Sequence, residues 1–511
     1  MFRKIVSHKH LLFPSVFSFA LLMIVVFIPD YGYFNDEFYY LACADRPAFG
    51  YVDHPPLSVF ILAAVRFVFG DCLIVLRAVP ALCSSVIVFI TGILAEESGA
   101  SVKTALYTSF SISLLPVPLI IFSFYSMNCF EILLMVLIFY YLIRILRDKD
   151  YRKWLHIGLL VGLGLLNKHT MILYIFALMF GVVLSGKIAI LKNKWFLWGL
   201  LIAFIILLPN LIWQYVNDFP SLEFYSNATA LKNIRVDPIE VIIFQVVAAN
   251  PVLFFVWGTG LICIFFSGKK KEFKVFGWAY LFLLIVLILS GSSRPDRMIS
   301  IYYFLIPYGW YVLEIFTKKK NIRFVKDLLF SFAVLAGLFL VPVSLPVLPP
   351  KAAEIYFEKT GLNIPVEAGL NSDLPMFYVY RMDWEKPPKA LSKVYDQLSR
   401  DEQDHSLILA SNYGFASSIE FYSWKYGLPP VVSGHNSYWH WSRELITEDV
   451  TTVISFGLKK ETLEGYFESV SDTGIRVESQ YWYDHFKRPI YICRDPKGDI
   501  KKNWKGSRFY I

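Results

Sequence analysis

Charged residues and paired cysteines are scarce in this 511-residue chain. Only 18% of the residues are charged, whereas soluble domains carry about 25%. None of the six cysteines stands in a Cys-x-x-Cys pair, which argues against a zinc site or a disulfide framework of cysteines. Cys493 is the only cysteine of the C-terminal region, so that region cannot hold an internal disulfide.

Hydrophobic residues are abundant instead: they make up 56% of the chain, with 45 Phe and 31 Tyr. This composition predicts a membrane protein with several spanning helices. The formal net charge of +8 does not indicate nucleic-acid binding, because the basic residues fall in short clusters between apolar runs. Such clusters are typical of cytoplasmic loops.

Apolar runs of spanning length recur over residues 1–346 and predict a polytopic α-helical membrane domain of about eleven transmembrane helices. The first run follows basic residues but precedes no small-residue cleavage site, so it is predicted to be an uncleaved first helix. The runs lie at residues 11–28, 73–95, 104–122, 127–146, 155–166, 169–186, 196–213, 241–266, 275–290, 299–316 and 324–346.

The basic clusters predict the orientation of these spans. With the N-terminus in the cytoplasm, nearly every lysine-rich turn falls on the cytoplasmic side, as the positive-inside rule requires. The opposite side then receives the first loop, residues 29–72, and the region 347–511. We therefore predict a protein of the cell inner (plasma) membrane whose C-terminal domain is periplasmic or extracellular.

Hydrophobicity falls after the proline-rich segment around residue 346, and short apolar runs then alternate with charged segments. The runs Ser406–Ala410, Val450–Phe456 and Ile490–Cys493 have β-strand character. A soluble, mixed α/β domain is therefore predicted for residues 347–511.

Two acidic motifs in the first loop are candidates for chemistry. Asp36 and Glu37 point to opposite sides if the chain is extended, and a carboxylate of this kind can take a proton from a hydroxyl group. Asp53 and His54 precede two prolines that fix an extended or turn geometry, and they suit metal binding. The plainer alternatives are a solvated loop with an interfacial aromatic belt, and a turn before a helix.

Four ionisable residues stand at the outer ends of later spans. Glu131 lies in an apolar run and is expected to face a protein-lined cavity, although an interfacial position is the alternative. Lys168, Arg294 and Arg297 break the positive-inside pattern. Cations placed there would stabilise a departing phosphate or contact anionic lipid head groups.

Several segments together resemble the family 39 glycosyltransferases of the GT-C superfamily, which include dolichyl-phosphate-mannose–protein mannosyltransferases and bacterial aminoarabinose transferases. The first two segments are specific in combination, whereas each alone is weak. The segments are Gly32–Tyr40, Gly50–Leu57, Gly162–Lys168, Leu208–Gln214 and Gly427–Tyr438.

This resemblance implies an inverting transfer of a sugar from a polyprenyl-phosphate carrier to an envelope lipid or glycan on the outer face of the membrane. Asp36 is then the catalytic base and Glu37 its partner. Protein O-mannosyl transfer is the alternative within the class. The resemblance does not identify the sugar.

The resemblance also implies roles for the other candidates. Lys168 is placed like a family lysine suited to the donor phosphate, and His54 lies in a motif that shapes the donor region. Arg294 and Arg297 are further candidates for the phosphate, but they depart from the family, in which a basic residue directly precedes a Tyr-Tyr pair; here Ser300 and Ile301 precede Tyr302 and Tyr303. Asp53 and Glu131 are candidates for a divalent cation such as Mg²⁺, Mn²⁺ or Zn²⁺. In another departure from the family, the segment Asn412–Phe415 has phenylalanine where relatives carry an acid.

The acceptor is expected between the first loop and the C-terminal domain, where His435, Tyr438 and Trp439 are candidate contacts. Ordinary packing is the alternative for these side chains. A lipid-linked-sugar transporter or flippase is a function of another class, but it would have ionisable residues at mid-membrane and internal repeats, and the sequence has neither. A non-catalytic sensor would be unaffected by Asp36→Asn.

Overall fold

The computed structural model describes residues 8–232, 234–266, 270–291, 294–363, 372–480, 482 and 487–511. The fold is mainly helical, with one five-stranded sheet in the C-terminal region. This agrees with the predicted polytopic helical protein that carries a C-terminal α/β domain. The basic residue Lys269, which was assigned to a cytoplasmic loop, lies outside the described residues.

Two compact units divide the described chain. The helical unit comprises the described residues within Met1–Pro29, Phe69–Ile212 and Asn233–Ala353. The mixed unit comprises those within Asp30–Val68, Trp213–Lys232 and Glu354–Ile511. The first loop thus belongs to the same compact unit as the C-terminal region, although hundreds of residues separate the two in sequence.

Within the described residues, seven helices are long and apolar enough to cross a membrane. Two further helix pairs pass the same test together but are bent, and counting each pair as one span gives nine. The seven are Lys9–Phe27, Leu73–Glu97, Met127–Asp148, Lys194–Val216, Lys271–Ser290, Asp296–Lys319 and Arg323–Ser344. All eleven predicted runs lie on helices, but Lys153–Leu165 and Met171–Leu184 are too short for this test.

Prolines account for the two bent pairs. Val102–Ser113 meets Pro116–Phe122 at 63°, and Pro238–Ala248 meets Pro251–Phe266 at 104°. In each pair the second segment begins with proline, which has no N–H to donate and disfavours helical geometry at the residue before it. The apolar pattern continues through both breaks, so hydrophobicity alone predicted single helices.

Close helix packing within the helical unit depends on glycine. A Cβ atom on Gly158 would lie 2.2 Å from the carbonyl oxygen of Gly199. Glycine therefore allows the short helix Lys153–Leu165 to contact Lys194–Val216 through the backbone. Small residues play this part in many membrane helix pairs.

The sheet of the mixed unit has the order β2-β1-β3-β5-β4. Its strands are β1 (Ser406–Ala410), β2 (Val431–Val432), β3 (Thr452–Phe456), β4 (Phe467–Val477) and β5 (Arg488–Pro496). β1 pairs in parallel with β2 and β3, whereas β5 pairs antiparallel with β3 and β4. The three predicted strands correspond to β1, β3 and β5. β4 was not predicted, because this edge strand is largely exposed and its sequence is polar.

Some helices pack on this sheet, and others lie in the first loop. Two of them contribute to the candidate site and are named here: the first-loop helix (Asn35–Asp45) and the Tyr413 helix (Tyr413–Tyr426). The others are Leu57–Phe69, Pro220–Leu231, Pro350–Thr360, Met376–Val379, Lys386–Tyr395, Arg400–Asp404, Ser437–Trp441, Lys460–Glu464 and Ile500–Gly506.

Backbone hydrogen bonds attach the start of the first loop to the C-terminal region. The Gly32 N–H donates to the carbonyl of Arg381 at 2.9 Å, and the Asn35 N–H donates to that of Tyr380 at 2.8 Å. The loop aromatics pack in the same place; the Phe34 ring, for example, lies edge-on to Tyr380 at 5.5 Å. Burial of these rings favours a core role over the interfacial belt considered above.

Candidate active site

Asp36 lies in the first turn of the first-loop helix and is half-buried. The Tyr413 hydroxyl donates a hydrogen bond to Asp36 Oδ1 at 2.9 Å. A Cβ on Gly414 would lie 2.1 Å from Asn35 Oδ1, so a larger residue here would force the Asn35 side chain to move. The expectation of an extended chain at Asp36 and Glu37 was wrong, because both residues begin a helix.

Glu37 is fully buried and completes the start of the first-loop helix. Its Oε2 accepts a hydrogen bond from the Phe34 N–H at 2.7 Å. A carboxylate that reaches back to the first backbone N–H groups stabilises a helix start, and the helix dipole adds to this effect. The structure therefore gives Glu37 a structural role, while its catalytic role stays a prediction.

Asp53 has a matching tyrosine partner. The Tyr39 hydroxyl donates to Asp53 Oδ1 at 2.9 Å. The rings of Tyr39 and Tyr413 contact each other with centroids 4.9 Å apart. The two carboxylates and the two tyrosines thus form one group, which we call the carboxylate–tyrosine cluster (Asp36, Tyr413, Tyr39 and Asp53).

Electrostatics keep both phenols of this cluster protonated. Burial raises the pKa of Tyr39 well above its ordinary value, and the neighbouring Asp53 raises it further. Burial and the adjacent Asp36 likewise raise the pKa of Tyr413. Each hydroxyl can therefore act as a neutral hydrogen-bond donor at physiological pH, which orients a carboxylate without cancelling its charge.

His54 is buried beside this cluster in the turn before helix Leu57–Phe69. Its ring stacks on Tyr40 with centroids 4.9 Å apart, and Nδ1 lies 2.9 Å from the carbonyl oxygen of Pro55. This contact requires a proton on Nδ1. Among the described residues no hydrogen-bond partner reaches Nε2. Binding a phosphate through Nε2 would require the imidazolium form.

The Tyr413 helix also carries Glu420, whose contacts were not predicted from the sequence. Glu420 accepts hydrogen bonds from the Arg46 guanidinium and the Tyr438 hydroxyl. The Arg46 guanidinium also lies 4.9 Å from the centre of the Trp441 ring. Glu420 stands seven residues after Tyr413, and this spacing places both on one helix face. This seven-residue spacing is the sequence signal that could have shown that Tyr413 and Glu420 lie on the same side of the helix.

His435 is bound on both sides of its ring within the mixed unit. Nε2 lies 2.8 Å from the carbonyl oxygen of Ile511, and Nδ1 accepts from the Tyr413 N–H at 3.3 Å. Burial lowers the pKa of His435 to about 4, so the ring is neutral near pH 7. The predicted acceptor contact would have to replace one of these hydrogen bonds, and it stays a prediction.

Tyr438 and Trp439, the other predicted acceptor contacts, are also buried. Tyr438 donates its hydroxyl hydrogen bond to Glu420, and the Trp439 indole donates to the Trp504 carbonyl at 3.1 Å. Stacking on a sugar needs an exposed ring face, and Trp439 is only 6% exposed. These positions agree with ordinary packing, and the acceptor role remains untested.

Lys168 and Glu131 meet in the helical unit. Lys168 Nζ lies 2.8 Å from Glu131 Oε2 and 2.8 Å from Asn128 Oδ1. Glu131 is 6% exposed, which agrees with the expected protein-lined position and not with an interfacial one. The candidate phosphate-binding lysine is therefore already paired with an acid.

The two candidate arginines of the helical unit differ from each other. Arg294 makes a two-pronged ion pair with Asp296, with Nε at 3.0 Å from Oδ1 and a terminal nitrogen at 3.3 Å from Oδ2. Arg297 is exposed. Of the two, Arg297 presents more of its side chain to a ligand.

The predicted divalent cation has no complete ligand set at these residues. In the described part of the chain, one group of three His, Cys, Asp or Glu side chains is close enough to hold a metal, and neither Asp53 nor Glu131 belongs to it. Asp53 accepts a hydrogen bond from the Tyr39 phenol, and Glu37 accepts one from the Phe34 N–H. The divalent cation therefore stays a prediction, and no catalytic step is assigned to it.

The family described as dolichyl-phosphate-mannose-protein mannosyltransferase matches residues 53–213. Among solved structures, ArnT from Cupriavidus metallidurans bound to undecaprenyl phosphate is similar, with a TM-score of 0.57 and 10% identity over 93% of this chain and 96% of that one. Its apo form gives a TM-score of 0.59 and 9% identity with the same coverage. No curated protein matches this chain in sequence.

Proposed function

We propose that this chain, whose fold is similar to that of ArnT and part of which matches the mannosyltransferase family, transfers a sugar from a polyprenyl-phosphate carrier to an acceptor in the cell envelope. Two findings support this class of donor. The matching family is named for a dolichyl-phosphate sugar, and the similar ArnT structure holds undecaprenyl phosphate.

The half-buried Asp36 carboxylate, oriented by a neutral hydroxyl, is the observation that carries the proposal. Asp36 takes the proton of the acceptor hydroxyl as the oxygen attacks the anomeric carbon. The bond from that carbon to the phosphate oxygen breaks, and polyprenyl phosphate leaves with the electron pair. Attack from the face opposite the phosphate inverts the anomeric configuration.

Tyr413 contributes by holding the base. Its hydroxyl fixes Asp36 Oδ1, and its protonated state is secured by burial. Tyr39 holds Asp53 in the same manner. Fixed orientation lowers the entropic cost of reaching the transition state.

The donor phosphate requires positive charge, for which each unit supplies its own candidates. Lys168, Arg294 and the exposed Arg297 are the candidates of the helical unit, and Lys168 and Arg294 form ion pairs with Glu131 and Asp296. His54 is the candidate of the mixed unit. Cations of this kind stabilise the leaving phosphate.

The acceptor is proposed to be an envelope lipid or glycan, with a protein hydroxyl as the alternative. The lysine distribution supports transfer on the outer face, with the N-terminus in the cytoplasm. The proposed location is the cell inner membrane.

Reconstitution with defined donors tests this proposal. Purified protein in liposomes is given a panel of polyprenyl-phosphate sugars together with an envelope lipid extract, and products are identified by mass spectrometry. A new acceptor mass and released polyprenyl phosphate are expected. Movement of the intact donor across the bilayer without a new product would favour the flippase and contradict transfer.

A further inference from the structure

Two histidines and a glutamate converge at one end of the helical unit, apart from every residue used above. His8 Nδ1 lies 2.5 Å from Glu96 Oε2, and His10 Nε2 lies 2.7 Å from Glu96 Oε1. His8 and His10 flank the start of the first span, whereas Glu96 ends the helix Leu73–Glu97. The contacts therefore join two spans that are distant in sequence.

We propose that His8, His10 and Glu96 bind a divalent transition-metal ion, for which Zn²⁺ is the probe. Imidazole nitrogen and carboxylate oxygen are donors that Zn²⁺ prefers in proteins. One ligand atom from each side chain lies within 4.8 Å of the others. Tetrahedral coordination needs donors roughly 3.3 Å apart, so side-chain shifts of about 1 Å would be enough.

The surrounding packing holds the backbone of these ligands in position before a metal ion binds. Leu11 directly follows His10 and is fully buried in a cluster with Ala95 and Ala105. A hydrogen bond of 2.9 Å from the Leu11 N–H to the His8 carbonyl closes the turn that carries both histidines. A metal ion therefore meets a site whose backbone is already in position, which favours binding.

The neighbouring acid, Glu97, makes ionic contacts that offer no metal ligands. Glu97 pairs with the guanidinium groups of Arg144 and Arg147. Glu96 instead has two imidazoles, which can lose their protons and coordinate a metal, as guanidinium cannot. The three ligand side chains are each about one-fifth exposed, which leaves a path for the ion and room for a water ligand.

Metal titration of the full-length protein in detergent, purified without a polyhistidine tag, tests the site. Zn²⁺ binding is measured by calorimetry, and Co²⁺ binding by its visible absorption. The wild type is expected to bind one more ion per chain than the double variant His8→Ala/His10→Ala. Glu96→Gln is expected to weaken binding about 100-fold. Equal stoichiometry and affinity in the wild type and the double variant would overturn the proposal.

Matched controls change the same region without removing a ligand. Lys9→Ala alters the residue between the histidines, and Glu97→Gln alters the adjacent acid; both should bind the ion like the wild type. Because a ligand that binds only the folded state raises its stability, Zn²⁺ should also raise the melting temperature of the wild type and of Lys9→Ala. A similar rise in the double variant would contradict the assignment. Neither readout depends on sugar transfer.

Discussion

Four acids at or beside the candidate residues have different partners in the two units. In the mixed unit, Asp36 and Asp53 each accept a hydrogen bond from a buried tyrosine hydroxyl. In the helical unit, Glu131 pairs with the ammonium group of Lys168, and Asp296 with the guanidinium group of Arg294. The first pattern orients carboxylates, whereas the second offsets their charge.

This difference separates two chemical tasks. A hydroxyl donor leaves the negative charge on the carboxylate, which suits a base that must accept a proton. An ion pair fixes a cation in place, but the negative charge of its acid partner reduces the attraction between that cation and a nearby phosphate. The following predictions test this contrast, beginning with the largest effect.

Replacing the proposed base should have the largest effect. Asp36→Asn keeps the shape of the side chain but removes proton acceptance, so kcat should fall about 10³-fold. Product formation from the donor panel measures this change. Asp45→Asn, at the end of the same helix and mostly exposed, is the control and should keep its activity. Full activity in Asp36→Asn would end the assignment of the base.

Breaking the ion pair in the helical unit should mainly reduce stability. Lys168→Ala leaves the buried Glu131 without its ammonium partner, which should cost about 3 kcal/mol. The pair Lys103–Asp327 has the same 2.8 Å contact but is exposed, so Lys103→Ala should cost about 0.5 kcal/mol or less. Thermal unfolding in detergent compares the two variants. Equal losses would show that burial does not set the strength of this pair.

The mixed unit should lose stability in mild acid through His435. Its pKa of about 4 in the folded state lies below the usual unfolded value of about 6.5, so the unfolded chain binds more protons between these values. Stability should therefore fall as the pH falls, by about 2 kcal/mol between pH 7 and pH 5.

Limited proteolysis across this pH range, followed at cleavage sites in the mixed unit, measures the loss. His435→Gln should reduce the pH dependence. His405→Gln, at an exposed position, is the control and should leave it unchanged. An unaltered pH profile in His435→Gln would assign the acid sensitivity to another group.

Removing one hydroxyl should have the smallest effect. Tyr413→Phe keeps the ring packing but loses the hydrogen bond to Asp36, and kcat should fall about tenfold with little change in KM. Tyr426→Phe, on the same helix, removes a 2.6 Å hydrogen bond to Glu385 and should have no effect on kcat. Equal activity of both variants would remove Tyr413 from the site.

Most of the fold could be predicted from the sequence, because spanning helices and buried strands leave strong apolar patterns. The breaks before Pro116 and Pro251 were missed since the apolar pattern runs through both. β4 was missed because an exposed edge strand needs few apolar residues. These failures concern backbone geometry, which composition does not record.

The candidate site was harder to predict. Asp36 and Asp53 were selected because acids beside aromatic residues are unusual in a loop near a membrane. Tyr413, the partner of Asp36, was missed as a contact, since it lies 377 residues from Asp36 in the chain. The buried capping contact of Glu37 was also missed, because the loop was taken to be extended.

The sequence by itself determined the environment of each segment, because long apolar runs require lipid or a protein core. The lysine pattern predicts which side of the membrane each turn faces. Only the tertiary structure decided which side chains meet. It attached the first loop to the C-terminal region, gave Asp36 a phenol partner and gave Glu131 an ammonium partner. Hydrophobicity acts on each segment without regard to partner, whereas a hydrogen bond exists only when two particular groups come within about 3 Å.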